Sequence, residues 1–189
     1  MMKTIKYTLL PLVLTLFFIA CGDDETNNRA LMYIDSQSAL VEFKMYVGSE
    51  NGGVEADYEA LRRKPEQLFP STLFESYTST NITFRNDLLL IEQSGVSESF
   101  IYKFENGSFF INKGGEFMYF GEGDHSTIDI RQHYIGFKTG EGNFTFDPAP
   151  PVKNIDKDLA AGQSKFESIE KMLNVEDTLM WVTRKAAFR

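Results

Sequence analysis

Residues 97–112 read SESFIYKFENGSFFIN, and this stretch decides the fold class of the chain. On both sides of Asn106-Gly107, aromatic and aliphatic side chains alternate with polar ones at the period of two that is typical of a half-buried β-strand. Asn-Gly is also the pair best able to adopt the two positive φ angles of a type I′ turn. The segment therefore predicts a β-hairpin with strands over residues 97–105 and 108–112.

Short strand-like runs continue on both sides of this hairpin. Each run is rich in aromatic and β-branched residues, and the breaks between them contain Asn, Asp or Gly, except for Gln132. The predicted strands cover residues 81–85, 88–92, 116–120, 127–131, 133–138 and 143–146, with a loop at 121–126 and an earlier strand containing Val41, Phe43, Met45 and Val47. This pattern predicts an antiparallel meander.

Helical spacing appears in two other places. After the proline-rich segment 147–151, apolar residues recur every three to four positions. These residues are Leu159, Phe166, Ile169, Met172 and Leu173. They predict a C-terminal amphipathic helix, followed by a closing strand over residues 178–188 that contains Trp181. A short helix is also expected over residues 54–64, before Pro65.

The order of meander, helix and closing strand resembles the lipocalin-like barrels. The resemblance is topological, because the Gly-any-Trp motif of the first lipocalin strand does not occur and the only tryptophan is Trp181. We therefore expect a mainly β chain in which an antiparallel meander forms either a lipocalin-like barrel or a strongly curved sheet. A C-terminal amphipathic helix and a closing strand complete the expected fold.

The N-terminal residues have the pattern of a signal peptide. Lys3 and Lys6 precede an apolar run over residues 7–20, which is shorter than the ~20 residues of a spanning helix. The end of this run and the next residue, Phe18-Ile19-Ala20-Cys21, resemble the lipobox of bacterial lipoproteins. The resemblance implies cleavage before Cys21 and attachment of a diacylglyceryl group and of an acyl chain such as palmitate to that residue.

The acidic residues after the cysteine indicate the cellular location of the protein. Asp23, Asp24 and Glu25 resemble the export signal of Bacteroidota surface lipoproteins, which implies the outer face of the outer membrane. The periplasmic face is the alternative. The expected organisation is a signal peptide over residues 1–20, a lipidated cysteine and flexible acidic tether over 21–29, and a single β-rich domain over 30–189.

Charge and cysteine content exclude several classes of function. The 189 residues include 27 acidic and 19 basic ones, a formal net charge of -8, and loss of Lys3 and Lys6 with the signal peptide makes it -10. Nucleic acid is therefore not an expected partner. One cysteine cannot form an internal disulfide, and two histidines provide few nitrogen ligands, so neither a metal nor another cofactor is expected.

Strand alternation identifies candidate ligand-binding residues. The aromatic side chains expected to line a cavity belong to Phe100, Tyr102, Phe104, Phe109, Phe117 and Tyr119. The alternative is that they only fill a core. The leading hypothesis is a lipid-anchored envelope protein that carries a small apolar or glycan-derived ligand. The other hypothesis is an interaction module that joins envelope proteins in an outer-membrane surface complex without such a ligand.

Enzyme activity is not expected, because the sequence contains no nucleophile elbow, phosphate loop or dinucleotide fingerprint. One alternative is a hydrolase that uses the carboxylates of Glu122, Asp124 and Asp129, with His125 beside them as an acid–base or metal-binding group. His133 is expected to lie half-exposed in a strand. Residues 177–179, Asp-Thr-Leu, resemble an O-glycosylation acceptor, and the alternative for them is a strand start.

Overall fold

The structure is a computed structural model that describes residues 30–57, 69 and 77–189. The predicted signal peptide, Cys21 and the tether lie outside the described residues, as do residues 58–64 of the predicted early helix. The strands within the described part are β1 Ala30–Val47, β2 Val54–Glu55, β3 Thr80–Arg85, β4 Leu88–Gln93, β5 Val96–Glu105, β6 Ser108–Lys113, β7 Glu116–Asp124, β8 Thr127–Lys138, β9 Thr145–Pro148 and β10 Thr178–Phe188. Helix α1 covers Lys157–Gln163, and a 3-10 turn covers Ile169–Lys171.

Eight of these strands close into an antiparallel barrel. The meander runs from β3 to β8, and β10 closes it by pairing with β8 on one side and with β1 on the other. β1 in turn pairs with β3. The expectation of a mainly β chain with an antiparallel barrel, a C-terminal helix and a closing strand is therefore confirmed.

The barrel wall consists of two sheets that are joined by two short seams. β1 pairs with β3 only over residues 30–32, and β7 pairs with β8 only over residues 122–124. We call the end beside these seams, which carries the turns at 86–87, 106–107 and 125–126, the closed end. The opposite end, which carries the turns at 94–95 and 114–115, is called the mouth. The two sheets separate towards the mouth because the seams stop near the closed end.

The predicted central hairpin is confirmed. Asn106 and Gly107 have φ angles of 51° and 75°, the positive values that a type I′ turn requires. β5 and β6 pair from Tyr102–Ile111 to Glu105–Ser108, as the alternation of apolar residues predicts. The turn residues therefore determine both the position and the register of this hairpin.

Several other boundaries differ from the predictions. β8 is one continuous strand, because Gln132 at the expected break pairs with Arg184 of β10. β7 continues to Asp124 where a loop was expected, and its Gly123 has a φ of 141° that allows close approach to the Thr127 carbonyl. Residues 54–55 form a strand instead of a helix, since Val54 pairs with Val47 of β1.

The C-terminal helix is shorter than expected. Asp156 caps its start by accepting a hydrogen bond from the Leu159 amide at 2.8 Å. The helix ends after Gln163, where Ser164 bonds the Ala161 carbonyl and thereby satisfies a terminal acceptor. The predicted apolar residues Phe166 and Ile169 are still buried, although they lie in irregular backbone and the 3-10 turn.

The sheet formed by β8, β10 and β1 is covered on both faces. Outside the barrel, α1 and the 3-10 turn pack on a cluster that includes Ile135, Leu179 and Trp181. Inside the barrel, towards the mouth, Tyr134, Met180 and Val182 form a second cluster. A third cluster fills the closed end; its buried residues are Leu31, Ile82, Phe84, Leu89, Phe109, Ile128, Ile130, Ala186 and Phe188.

Candidate functional site

The six predicted ligand-binding residues are divided between the two faces of the β4–β7 wall. Phe100, Tyr102, Phe104 and Phe109 occupy alternate positions of β5 and β6 that face the barrel interior. Phe117 and Tyr119 lie on the outer face, because Tyr119 pairs with Phe110 while the neighbouring Phe109 points inward. Alternation alone cannot tell which face of β7 is inside, and Met118 and Phe120 hold its inward positions.

Three of the inward residues close one end of the barrel. The ring of His125, from the β7–β8 turn, lies among four aromatic rings, at centroid distances between 5.0 and 6.0 Å. These rings belong to Phe84, Tyr102, Phe104 and Phe109. The Tyr102 hydroxyl lies 3.1 Å from Nε2 of His125, and burial raises the pKa of this tyrosine. These side chains therefore pack against one another at the closed end.

The mouth contains an open pocket of about 400 Å³ on the inner face of the β4–β5 hairpin. Its lining residues are Ile91, Gln93, Ser94, Val96 and Glu98. Val96 is 65% exposed, and Glu98 is also exposed to solvent. Phe100 follows on the same inward-facing side of β5 and is half-buried. The pocket has the size of a small-molecule site and combines two apolar side chains with an amide and a carboxylate.

Sequence reasoning identified Phe100 but missed the four larger residues of this pocket. Val96 and Glu98 precede Phe100 at spacings of two, so the alternation that places Phe100 inside also places them inside. Ile91 pairs with Glu98, and Gln93 pairs with Val96. Strand alternation therefore predicts that these residues also face the interior. A search restricted to aromatic side chains does not find them.

Polar side chains also face the barrel interior, between the closed-end cluster and the mouth cluster. Gln132 and Arg184 are paired neighbours on β8 and β10 and are inward-facing members of their strands. Arg184 donates a hydrogen bond to the Tyr33 hydroxyl at 3.2 Å, and Tyr33 donates to Asp35 at 2.9 Å. The barrel interior is therefore apolar at the closed end and contains charged and hydrogen-bonding groups between the closed end and the mouth.

Two of the three carboxylates of the hydrolase alternative, Glu122 and Asp129, are held in ion pairs on the outer face. Arg131 Nη2 lies 3.0 Å from Glu122, and Lys153 pairs with the other oxygen of the same carboxylate. Arg189 contacts Asp129 at 2.8 Å. Tyr119 is buried beside this network, and burial raises its pKa to about 12. This network joins β7, β8 and the segment around Lys153. Its role in the fold is therefore structural.

Asp124 and His125 serve the β7–β8 turn. The Asp124 carboxylate accepts hydrogen bonds from the amides of Ser126 and Thr127 at 2.8 and 2.9 Å, and from the Ser126 hydroxyl. These hydrogen bonds lower the pKa of Asp124. The largest effect comes from the Ser126 hydroxyl and the next largest from the Ser126 amide. Since Asp124 is exposed and His125 points into the aromatic cluster, these two side chains do not converge on a cleft.

His133 is buried, in contrast to the half-exposed position that was expected. The reason is that β8 continues through it and the Val152 segment covers its ring. Nε2 donates to the Val152 carbonyl at 2.8 Å, and Nδ1 accepts from the Thr183 hydroxyl at 2.8 Å. Burial lowers the pKa of His133, so the neutral ring fits this site.

Thr178 of the candidate glycosylation segment is buried at the start of β10. The neighbouring Asp177 carboxylate accepts hydrogen bonds from the Gly140 amide at 2.9 Å and the Asn174 amide at 3.1 Å. A glycosyltransferase needs an accessible hydroxyl, and the Thr178 side chain is too buried in the folded domain to be an acceptor. The strand-start interpretation agrees with the observed structure.

Comparison of the chain with protein-family models, with curated proteins and with solved structures finds no match. Within residues 30–57, 69 and 77–189, no three metal-ligating side chains group together. None of the helices in the same part of the chain has the length and apolar character needed to cross a bilayer. A proposal for the function therefore depends on the barrel geometry and on the N-terminal sequence.

Proposed function

We propose that this protein is a lipid-anchored envelope protein of the outer membrane, displayed at the cell surface, that binds a small apolar or glycan-derived ligand at the mouth of its barrel. The observation that carries the proposal is the contrast between the two barrel ends. The closed end is filled by packed aromatic rings, whereas the mouth holds an open pocket of about 400 Å³. Apolar concave sites with a few polar groups are where proteins bind small molecules.

The lining of the pocket indicates the chemistry of the ligand. Ile91 and Val96 offer aliphatic contact, and Phe100 lies deeper on the same face. Gln93 and Glu98 add hydrogen-bonding groups at the rim. An apolar molecule with a hydroxyl or amide group, such as a lipid fragment or an acylated sugar, would satisfy both kinds of side chain.

The anchor is supported by the sequence. The Phe18-Ile19-Ala20-Cys21 motif is the basis for lipidation, and several acyl chains at about 0.8 kcal/mol per buried methylene stabilise membrane attachment without a spanning helix. Growth with labelled palmitate tests this step. We expect the label on the wild-type protein and none on Cys21→Ala, and a labelled variant would refute lipidation at Cys21.

Ligand binding is tested with the mature chain from residue 22 and the uncharged fluorescent probe N-phenyl-1-naphthylamine. We expect Val96→Glu to abolish the fluorescence increase, because it puts a second carboxylate into the pocket. Ile101→Glu is the matched control: Ile101 lies on the same strand, is 52% exposed and faces outward. Equal probe binding by both variants would refute the site, and native mass spectrometry of gently purified protein identifies any ligand retained from cells.

A second candidate function is an interaction module, and the outer face of the same wall favours it. Leu88, Ile101 and Phe117 are exposed there, and Lys103 Nζ lies 5.2 and 5.1 Å from the ring centroids of Phe110 and Phe117. Over residues 116–121, β7 pairs with β6 and with no other described strand. If the protein works through this face, Ile101→Glu abolishes cross-linking to envelope partners in intact cells and Val96→Glu does not.

A further inference from the structure

The described chain enters the barrel at its closed end. Ala30 begins β1 and pairs with Thr83, two residues before the end of β3 and close to the turn at 86–87. Leu31 is buried in the closed-end cluster, and Met32 exchanges two backbone hydrogen bonds with Arg189, each 3.0 Å long. The point from which any N-terminal anchor pulls on the domain is therefore fixed at this end.

The distance from Cys21 to Ala30 is limited by covalent geometry. Nine residue steps span at most about 32 Å even when fully extended. β5 alone, which runs from mouth to closed end, has 10 residues and is about 33 Å long at 3.3 Å per residue. Because barrel strands tilt by about 35–45°, this length corresponds to about 25 Å along the barrel axis. A mouth that faced the bilayer would therefore require the tether to lie along the barrel wall and to use most of its maximum length. If the closed end faces the bilayer, the tether starts beside the membrane and does not need to be extended.

Apolar side chains are exposed at the closed end as well. Leu88, directly after the β3–β4 turn, is 38% exposed, and Phe104, just before the β5–β6 turn, is 41% exposed. Such side chains gain free energy when they leave water for the boundary region of a bilayer. They lie at the end where the tether begins.

We infer that the closed end of the barrel is the surface that contacts the lipid bilayer and that the mouth faces the aqueous side. This inference rests on the proposed lipid anchor at Cys21. It adds a direction to the proposed function: the ligand reaches the mouth pocket from the aqueous phase, and it is not extracted laterally from the membrane in which the protein is anchored.

Energy transfer from tryptophan to a dansyl-headgroup lipid tests the orientation. A chain that begins at residue 21, expressed without the signal peptide, is coupled through its only thiol, Cys21, to a maleimide phospholipid in phosphatidylcholine vesicles, so the test does not depend on lipidation in cells. A reporter tryptophan is introduced by Glu105→Trp at the closed end or by Lys113→Trp at the mouth, two exposed positions beside turns. Trp181 contributes an equal background to both proteins.

We expect at least twofold more transfer from Glu105→Trp than from Lys113→Trp, and none from either protein mixed with vesicles without coupling. Equal transfer, or more transfer from Lys113→Trp, would overturn the inference. Circular dichroism and melting curves confirm that both variants fold. Failure here leaves the palmitate and probe experiments unaffected, so an error in orientation is distinguishable from an error in the proposed function.

Discussion

At the scale of single residues, the two histidines show how different surroundings give the same side chain different roles. His125 packs edge-on against aromatic rings at the closed end, where it completes a core. His133 is buried between Thr183 and Val152 and uses both ring nitrogens in hydrogen bonds. These contacts hold both rings within the fold, and the buried His133 links stability to pH.

The first prediction concerns His133. Burial lowers its pKa in the folded state, whereas in the unfolded chain the pKa is about 6.5. As the pH falls below about 7, the unfolded state binds the proton more readily, and the folded state loses stability until the lowered pKa is reached. We expect a melting temperature that falls between pH 7.5 and 5.

The matched variant for this prediction is His133→Gln, whose amide can still donate to the Val152 carbonyl but does not titrate. It is expected to be less stable at pH 7.5 by about 1–3 kcal/mol, because packing around the ring is lost. Its melting temperature should depend less on pH over the same range. Parallel pH profiles for the two proteins would show that His133 is not the group responsible.

At the scale of the elements, turn residues set the boundaries of the meander. Asn86 and Asn106 both have a φ of 51°, and Gly107 has a φ of 75°. Such positive angles are costly for most residues, so each of these positions specifies a turn. The second determinant is packing, which buries Phe166 and Ile169 after α1 although the α-helix has ended.

The second prediction tests the turn. Gly107→Ala places a Cβ on a residue with positive φ and should destabilise the domain by about 1 kcal/mol. Gly162→Ala is the control, because Gly162 lies in α1 and a Cβ there would meet nothing within 4 Å. That change should be neutral or stabilise the domain by up to about 1 kcal/mol. Urea unfolding measures both, and equal destabilisation would contradict this account of the turn.

The third prediction compares two adjacent residues of the segment after α1. Both Met172 and Leu173 were expected on the apolar face of one helix, but Met172 is fully buried and Leu173 is 62% exposed. Met172→Ala should lower the free energy of unfolding by about 2–5 kcal/mol. Leu173→Ala should change it by less than about 0.5 kcal/mol. Similar losses for both variants in urea unfolding would indicate a continuous helix instead.

At the scale of the whole molecule, the two sheets of the barrel have different structural support. β8 and β10 pair over their full lengths and are covered on both faces. The β4–β5 hairpin is exposed along much of its length and lines the mouth. One half of the barrel is therefore covered on both faces, whereas the other half contains an exposed hairpin.

The fourth prediction follows from this asymmetry. Native-state hydrogen exchange should protect the amides of β8 and β10 up to the free energy of global unfolding. Amides of the β4–β5 hairpin near residues 93–97 should exchange through local opening, many times faster. Mass spectrometry of peptides from the two regions measures this difference, and uniform protection would contradict the expected lower local stability of the β4–β5 hairpin.

Much of this architecture could be read from the sequence. Hairpin positions, strand alternation and the closing strand depend on local preferences, namely positive φ at Asn-Gly and the period of two in the strands. The same local rules placed Phe100, Tyr102, Phe104 and Phe109 on one face. The N-terminal motif around Cys21 is likewise a local pattern, and the function it implies stays a prediction.

Other features were decided only by the tertiary structure. Which face of β7 points inward depends on its register with β6, and this register put Phe117 and Tyr119 outside. The burial of His133 and the shortness of α1 depend on contacts with distant segments. The mouth pocket depends on the pairing of β4 with β5, which brings Ile91 beside Glu98 and Gln93 beside Val96. The β1–β3 seam joins strands that are far apart in the chain, so no local preference encodes its length.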